Sequence, residues 1–299
     1  FQHVLDWVAA RYEDVLSPEE QQFIAGFGQL PAASQALWVR MVMRKGAHFR
    51  ASKLSYAEIG DIRSAAQPLV EGGWVNDQAP LVLAEVFEVL TKPEILGRFS
   101  AHITQPKGKK TTWHEDLAAD FTHQQSLNEW HPALDEQLYT LNYRDLSDRL
   151  RLMFFGNLSQ GWPDLVLADL GLFNYETVAF SPESRALRCR ADIDGYLHLY
   201  ACREAFEAGG DVQDIQGRVL DYHTDNRWLQ RRRARLLFQI GQFHERAGAL
   251  AQALRVYRDS QHPEARLRMV RVLELLGEVE QAMALTKPNA DAPLSLIHI

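Results

Sequence analysis

Cysteine is nearly absent: Cys189 and Cys202 are the two in 299 residues. Two thiols cannot frame a disulfide-stapled domain or a structural zinc site, and their scarcity fits a reducing cytosol. No stretch reaches the roughly 18 uncharged apolar residues that a membrane helix needs, and no charged-then-apolar leader opens the chain. Lysine is also scarce, with seven: Lys45, Lys53, Lys92, Lys107, Lys109, Lys110 and Lys287. None has Asp or Glu two residues earlier. A PD-(D/E)xK site needs that acid, because the acids hold Mg²⁺ while the lysine steadies charge developing on a phosphate. Pro163-Asp164 therefore reads as a helix start. Neither a glycine-rich phosphate loop nor G-x-S-x-G occurs. His114-Glu115 begins a zinc-protease pattern that fails at Ala118. His48, His102, His114, His123, His131 and His244 show no metal-ligand spacing and read as hydrogen-bonded or exposed.

What is present is ordinary globular material. Hydrophobic residues make up 46% and charged residues 24%, enough apolar side chain to exclude general disorder. At roughly 150 residues per domain the length suggests two domains, and three compact modules also fit. The chain begins at Phe1 and ends in the apolar run Leu294-Ser295-Leu296-Ile297-His298-Ile299. A fragment of a longer protein is the expectation.

The net charge of −7 hides a pattern. Residues 1–113 carry 12 basic and 12 acidic side chains, 114–210 carry 7 and 16, and 211–299 carry 13 and 11. No acid occurs between Glu20 and Glu58, a window that holds Arg40, Arg44, Lys45, Arg50 and Lys53. A patch of this kind can bind phosphate whatever the net charge; the competing reading is a solvated face, or arginines paired with distant carboxylates that the acidic 114–210 segment could supply. Smaller clusters follow at Lys107, Lys109 and Lys110, and at Arg227, Arg231, Arg232, Arg233 and Arg235.

The pattern reads as mainly α. Helices are predicted over 3–15 and 18–28; Ser17-Pro18-Glu19-Glu20 supplies an N-cap, proline at the first turn and acids on the positive helix end. Pro31 opens a third helix to about Arg44, stopped at Lys45-Gly46. Ala36 to Arg44 is apolar except for Arg40 and Arg44, so the helix is packed on most sides and these two share the remaining stripe. Ser55-Tyr56-Ala57-Glu58 has capping-box spacing and predicts another helix. A helix over 62–70 then leads to Gly72-Gly73-Trp74-Val75, a tight turn into a strand. Three helices followed by a turn and strand is winged-helix order. Helices at 81–90, 93–101 and 112–121, with the basic loop Gly108-Lys109-Lys110, resemble a SAP module.

Residues 124–224 read as a helical middle segment, clearest at 158–172 and 192–208. From Asn226 the pattern repeats. Gly241, His244, Gly248, Ala253 and Tyr257 match the small and aromatic positions of a tetratricopeptide repeat, with His in place of the usual Tyr. Gly248-x4-Ala253 recurs as Gly277-x4-Ala282, a period of 29. The expected domains are a winged-helix/SAP-like unit over 1–123, the middle segment over 124–224, tetratricopeptide-like hairpins over 225–286 and a truncated tail over 287–299. Arg227, Arg231 and Arg235 form one helical stripe with Arg232 and Arg233 beside it, readable as a charged face or a second nucleic-acid contact.

Leu37-Trp38-Val39-Arg40-Met41-Val42-Met43-Arg44-Lys45-Gly46, Phe49-Arg50 and Lys53-Leu54-Ser55-Tyr56-x-Glu58-Ile59 together resemble the N-terminal part of Fanconi-associated nucleases. Met153-Phe154-Phe155-Gly156-Asn157-Leu158 with Trp162-x3-Val166-Leu167-Ala168-Asp169-Leu170-Gly171 is similar to that family's middle segment, and Tyr175-Glu176 and Ser184-Arg185…Cys189-Arg190 also fit. The compact N-terminus looks like the bacterial branch. The resemblance implies structure-selective DNA repair by a 5′-flap endonuclease and 5′–3′ exonuclease, a phosphodiesterase I. It implies Mg²⁺ or Mn²⁺ in a C-terminal VRR-NUC domain beyond Ile299, and no cofactor, catalytic or metal residue in this chain. It carries DNA binding over to the winged-helix/SAP-like part, where the charge pattern makes Arg40, Arg44, Lys45, Arg50, Lys53, Lys107, Lys109 and Lys110 the candidates. Branched or flapped duplex DNA is the implied partner, with a homodimer as a further assembly and no membrane. The location follows as cytoplasmic on the nucleoid, or nuclear in a eukaryote. Two other readings compete: a stand-alone tetratricopeptide-like scaffold holding a peptide, and a winged-helix regulator with a repeat-type sensor.

Overall fold

The computed structural model describes residues 1–164 and 184–287. Two compact units are present, one over Phe1–Ala179 and one over Phe180–Ile299.

The first unit opens with α1 (Gln2–Arg11), α2 (Pro18–Gln29) and α3 (Ala32–Val42). The start of α2 is a reciprocal capping box: Glu20 N–H donates to Ser17 Oγ at 3.2 Å, and Ser17 N–H to the Glu20 carboxylate at 2.9 Å. Glu20 is buried, and Arg149 Nε donates to it at 2.7 Å. As its composition requires, α3 is packed on most sides: Leu37, Trp38 and Met41 are fully buried. Trp38 joins Phe23, Phe27 and Trp74 in an aromatic core, with Phe23 and Trp74 centroids 4.8 Å apart.

After α3 come β1 (His48–Arg50), α4 (Ile62–Glu71) and β2 (Val75–Asn76). Asp61 caps α4 by accepting from Ser64 N–H at 2.8 Å. The sheet is completed by β3 (Leu138–Leu141), which lies between β1 and β2 and is antiparallel to both. Phe49 faces Tyr139 in register, Arg50 faces Leu138, and Val75 faces Leu141. The segment read as a helical middle thus supplies the central strand, and β1 lies in a stretch for which no element was predicted. The helix predicted from Ser55 does not form. Glu58 turns to Arg40 instead of back to the Ser55 N–H. The chain makes a single turn, with Ile59 and Gly60 N–H reaching Tyr56 O, and leaves it at Gly60 with φ +76°.

Four short helices follow: α5 (Leu83–Val89), α6 (Lys92–Phe99), α7 (Lys110–Leu117) and α8 (Leu127–Trp130). They share a core of Val86, Ile95, Phe99, Trp113, Leu117 and Trp130, which Leu138 of β3 joins. Gly108 is needed where the chain passes Trp113: a Cβ there would lie 2.9 Å from Gln105 O and 3.0 Å from the indole nitrogen. The unit continues in α9 (Arg144–Phe155). Of the helix expected over 158–172, residues 158–161 are non-helical, 162–164 are helical, and the rest lies outside the described residues, as does Tyr175-Glu176.

The second unit stacks α10 (Arg190–Glu207), α11 (Val212–Asp221), α12 (Arg227–Arg246), α13 (Leu250–Ser260), α14 (Ala265–Leu275) and α15 (Val279–Thr286). The repeat signature has a direct structural cause. Gly248 and Gly277 make the left-handed turns between successive helices, at φ +75° and +80°. Ala253 and Ala282 are buried where helices meet. His244, at the usual tyrosine position, is buried and bonded through Nε2 to Gln216 Oε1 at 2.8 Å, and burial lowers its pKa. Of the tail expected over 287–299, only Lys287 is described.

Candidate nucleic-acid interface

The basic residues of the first unit fall into two sets. Arg44, Lys45 and Lys53 are exposed. The Arg44 guanidinium lies 5.7 Å over the Phe49 ring and reaches Lys53 O and Tyr56 Oη at 3.4 Å, but meets no carboxylate among the described contacts. Arg144 donates to Gly46 O and, at 3.1 Å, to Arg44 O, so it holds the turn that carries Arg44 and Lys45. Nothing in the sequence marked Arg144 for that task. Arg40 is half-exposed, pairs with Glu58 and lies 5.2 Å over Tyr56.

Arg50 differs. Its guanidinium forks onto Glu94 at 2.9 and 2.8 Å, and its Nε donates to Glu136 at 2.8 Å. The side chain is 11% exposed. All three donor positions facing these acids are occupied, so Arg50 is a link inside the unit and does not extend the exposed patch.

The SAP-like module divides the same way. Lys107 and Lys109 are exposed. Lys110 turns inward, its ammonium donating to Phe87 O at 2.7 Å and Leu90 O, where it closes the C-terminal end of α5. Burial lowers its pKa. Lys92 donates to Gly108 O at 3.1 Å and lies 5.3 Å from the Trp113 ring centroid, which fixes the loop presenting Lys107 and Lys109.

In the second unit, the Arg232 guanidinium lies 4.4 and 4.2 Å from the ring centroids of Tyr196 and Trp228, and Arg233 donates to Val219 O and Leu220 O. Arg227, Arg231 and Arg235 stay exposed. With Arg258 they line a cleft of 1020 Å³ whose wall also carries Tyr222, His223 and His262. The sequence stripe was visible, but Arg258 enters from the next helix and had no sequence signal tying it to the other three. Among the described residues no cluster of three His, Cys, Asp or Glu side chains is placed to hold a metal ion. No described helix is long and apolar enough to cross a membrane.

These elements have counterparts in known proteins. Residues 1–76 match the family model described as "FAN1, HTH domain", and residues 80–130 match "Fanconi anemia-associated nuclease SAP domain". The Fanconi-associated nuclease 1 homolog of Pseudomonas aeruginosa is 46% identical over 295 residues, covering 99% of this chain and 53% of the relative. Over nearly its whole length the chain is similar to one half of a Fanconi-associated nuclease. The human Fanconi-associated nuclease 1 is 33% identical over 112 residues, 36% of this chain and 11% of the human protein. The crystal structure of paFAN1 bound to 2nt 5′flap DNA with gap superposes with a TM-score of 0.88 at 47% identity, covering 95% of this chain and 52% of that one. A second, of paFAN1 bound to 1nt 5′flap DNA with gap, gives 0.86 at 46% identity, covering 97% and 55%. The chain spans about half the length of the bacterial relative it matches. The mainly helical architecture, with its helix-turn-helix and SAP modules ahead of helical hairpins, matches about half of the paFAN1 chain in these structures.

Proposed function

We propose that this chain is the DNA-holding part of a structure-selective DNA-repair nuclease and grips branched or flapped duplex DNA through its phosphates. The observation that carries this is the exposed trio Arg44, Lys45 and Lys53, which meets no carboxylate among the described residues and sits in the helix-turn-helix module. Phosphate contacts suit a flap enzyme because they carry no base sequence. Lys107 and Lys109 add a second duplex contact, and Arg40 joins once Glu58 yields. The cleft lined by Arg227, Arg231, Arg235 and Arg258 is too large for a lone ion and fits a phosphate-bearing strand. Strand scission with Mg²⁺ or Mn²⁺ belongs to the part of the family's length outside this chain. The site of action is the cytoplasm, on the bacterial nucleoid.

The test is fluorescence anisotropy across a salt series, with a labelled 5′ flap and a continuous duplex of unrelated sequences. Changing Arg44, Lys45 and Lys53 together to Glu should weaken binding alike for every sequence. It should also flatten the plot of log affinity against log salt by about 0.9 per lost phosphate. Unchanged affinity and slope in a folded variant would overturn the reading.

A further inference from the structure

Arg50 stands where the two separately matched modules, 1–76 and 80–130, meet. The first has the Phe23, Phe27, Trp38 and Trp74 core, the second the core around Ile95, Trp113 and Trp130. Beside Leu138 of β3, which pairs with β1 and joins that second core, two polar side-chain links cross the junction. Arg50 of β1 forks onto Glu94 of α6, and His48 lies 3.5 Å from Glu85 of α5. Each acid on Arg50 is also tied at home. Glu94 accepts Thr91 N–H and Oγ1 at 2.7 Å as the first-turn acid of α6. Glu136, just before β3, accepts Ser52 N–H at 3.1 Å and the Ser52 hydroxyl. The guanidinium is planar and presents its donors in a fixed fork, so the pairing sets direction as well as distance.

We propose that Arg50 is a positioning residue that fixes the angle between the two modules. The Arg44, Lys45 and Lys53 edge and the Lys107 and Lys109 loop then meet DNA in one geometry, which favours a flapped junction over continuous duplex. The proposal rests on the DNA-holding reading above. It separates sharply from the simpler idea that Arg50 itself binds phosphate. Removing the charge of Glu94 would free a phosphate-binding Arg50 and tighten all duplex binding. Removing it from a clamp loosens the joint and lowers only the preference for the flap.

The experiment titrates the full polypeptide and its Arg50→Gln, Arg50→Lys and Glu94→Gln variants against equal-length flapped and continuous duplexes. Circular dichroism checks folding, and if Arg50→Gln fails to fold, Glu94→Gln carries the test. Expected are an unchanged salt slope, continuous-duplex affinity within about twofold, and a flap preference lower by about tenfold in Arg50→Gln and Glu94→Gln, a typical coupling between linked sites. Arg50→Lys, which keeps charge but loses the fork, should fall between. Tighter duplex binding by Glu94→Gln with a slope steeper by about 0.9 would make Arg50 a phosphate ligand and overturn the proposal. So would a flap preference that neither Arg50→Gln nor Glu94→Gln alters. Amide hydrogen exchange reads the clamp without DNA: both changes should speed exchange at 48–52 and at 92–96 together, and acceleration on one side alone overturns it. Wild-type chain that binds no duplex while this paired exchange response holds would sink the DNA-holding reading and leave the joint itself demonstrated.

Discussion

Gly241→Ala should destabilise the second unit, against the usual effect of that change inside a helix. In α12 Gly241 faces Tyr257 of α13, and an added Cβ would lie 2.6 and 2.7 Å from two ring carbons. The ring cannot step aside. It is fully buried, its hydroxyl donates to Glu245 at 2.6 Å, and Phe238 packs on it with centroids 5.6 Å apart. Burial, with help from the bond to Glu245, pushes the tyrosine pKa up to about 12. Glu245 is itself anchored by Arg268 at 3.3 Å. Alanine gains about 1 kcal/mol over glycine in helix propensity. Overpacking a fixed core costs about 1–3 kcal/mol, and two anchored partners put this case at the upper end. The net is a loss of about 2 kcal/mol. Gly217 of α11 is the control, with no atom within 4 Å of an added Cβ; alanine there should gain up to about 1 kcal/mol. Urea titration followed by amide hydrogen exchange in the second unit measures both. In a Tyr257→Ala background the Gly241→Ala penalty should vanish, since the two sites are coupled by contact. If Gly241→Ala stabilises as Gly217→Ala does, or keeps its full penalty without the ring, the tight approach of α12 and α13 is wrong.

Three further outcomes are expected. The Arg50 fork holds the Glu94 carboxyl at about 2 against an ordinary 4.5. A depressed carboxyl stabilises the fold above its unfolded value, so this contribution should fade as pH drops from 4.5 towards about 2. Arg50→Gln should shrink that acid sensitivity in urea midpoints measured against pH. Lys110→Met should cost about 1–3 kcal/mol in thermal unfolding by orphaning Phe87 O and Leu90 O without changing the salt slope of DNA binding, whereas Lys109→Ala should do the reverse. Asn226→Ala should cost about 1 kcal/mol, because the amide caps α12 at Trp228 N–H, 3.0 Å away, and also donates to Ala186 O at 2.8 Å.

Helices were legible where a cap or turn residue acts on its near neighbours. Ser17 reads its own first turn, and Gly248 and Gly277 mark hairpin turns because few other residues adopt their backbone angles. Of the sheet, the turn at Gly72-Gly73 into β2 was legible, but β1, β3 and their pairing were not. Its strands are two to four residues long, too short for an alternating pattern, and the central strand arrives from 138–141. Ser55 had the right spacing for a cap, yet Glu58 went to Arg40. The same limit governs the candidate site. Residue type gave the cations, but an acid-free stretch of sequence does not make an acid-free neighbourhood. Antiparallel pairing sets Arg50 opposite Leu138, two residues from Glu136, and folding brings Glu94 to its other side. Arg50 and Lys110 left the predicted patch through partners remote in sequence, while Arg258 joined a cleft with Arg227, Arg231 and Arg235 from another helix. A charge cluster is therefore a candidate phosphate surface only after the fold has shown which of its cations are already paired.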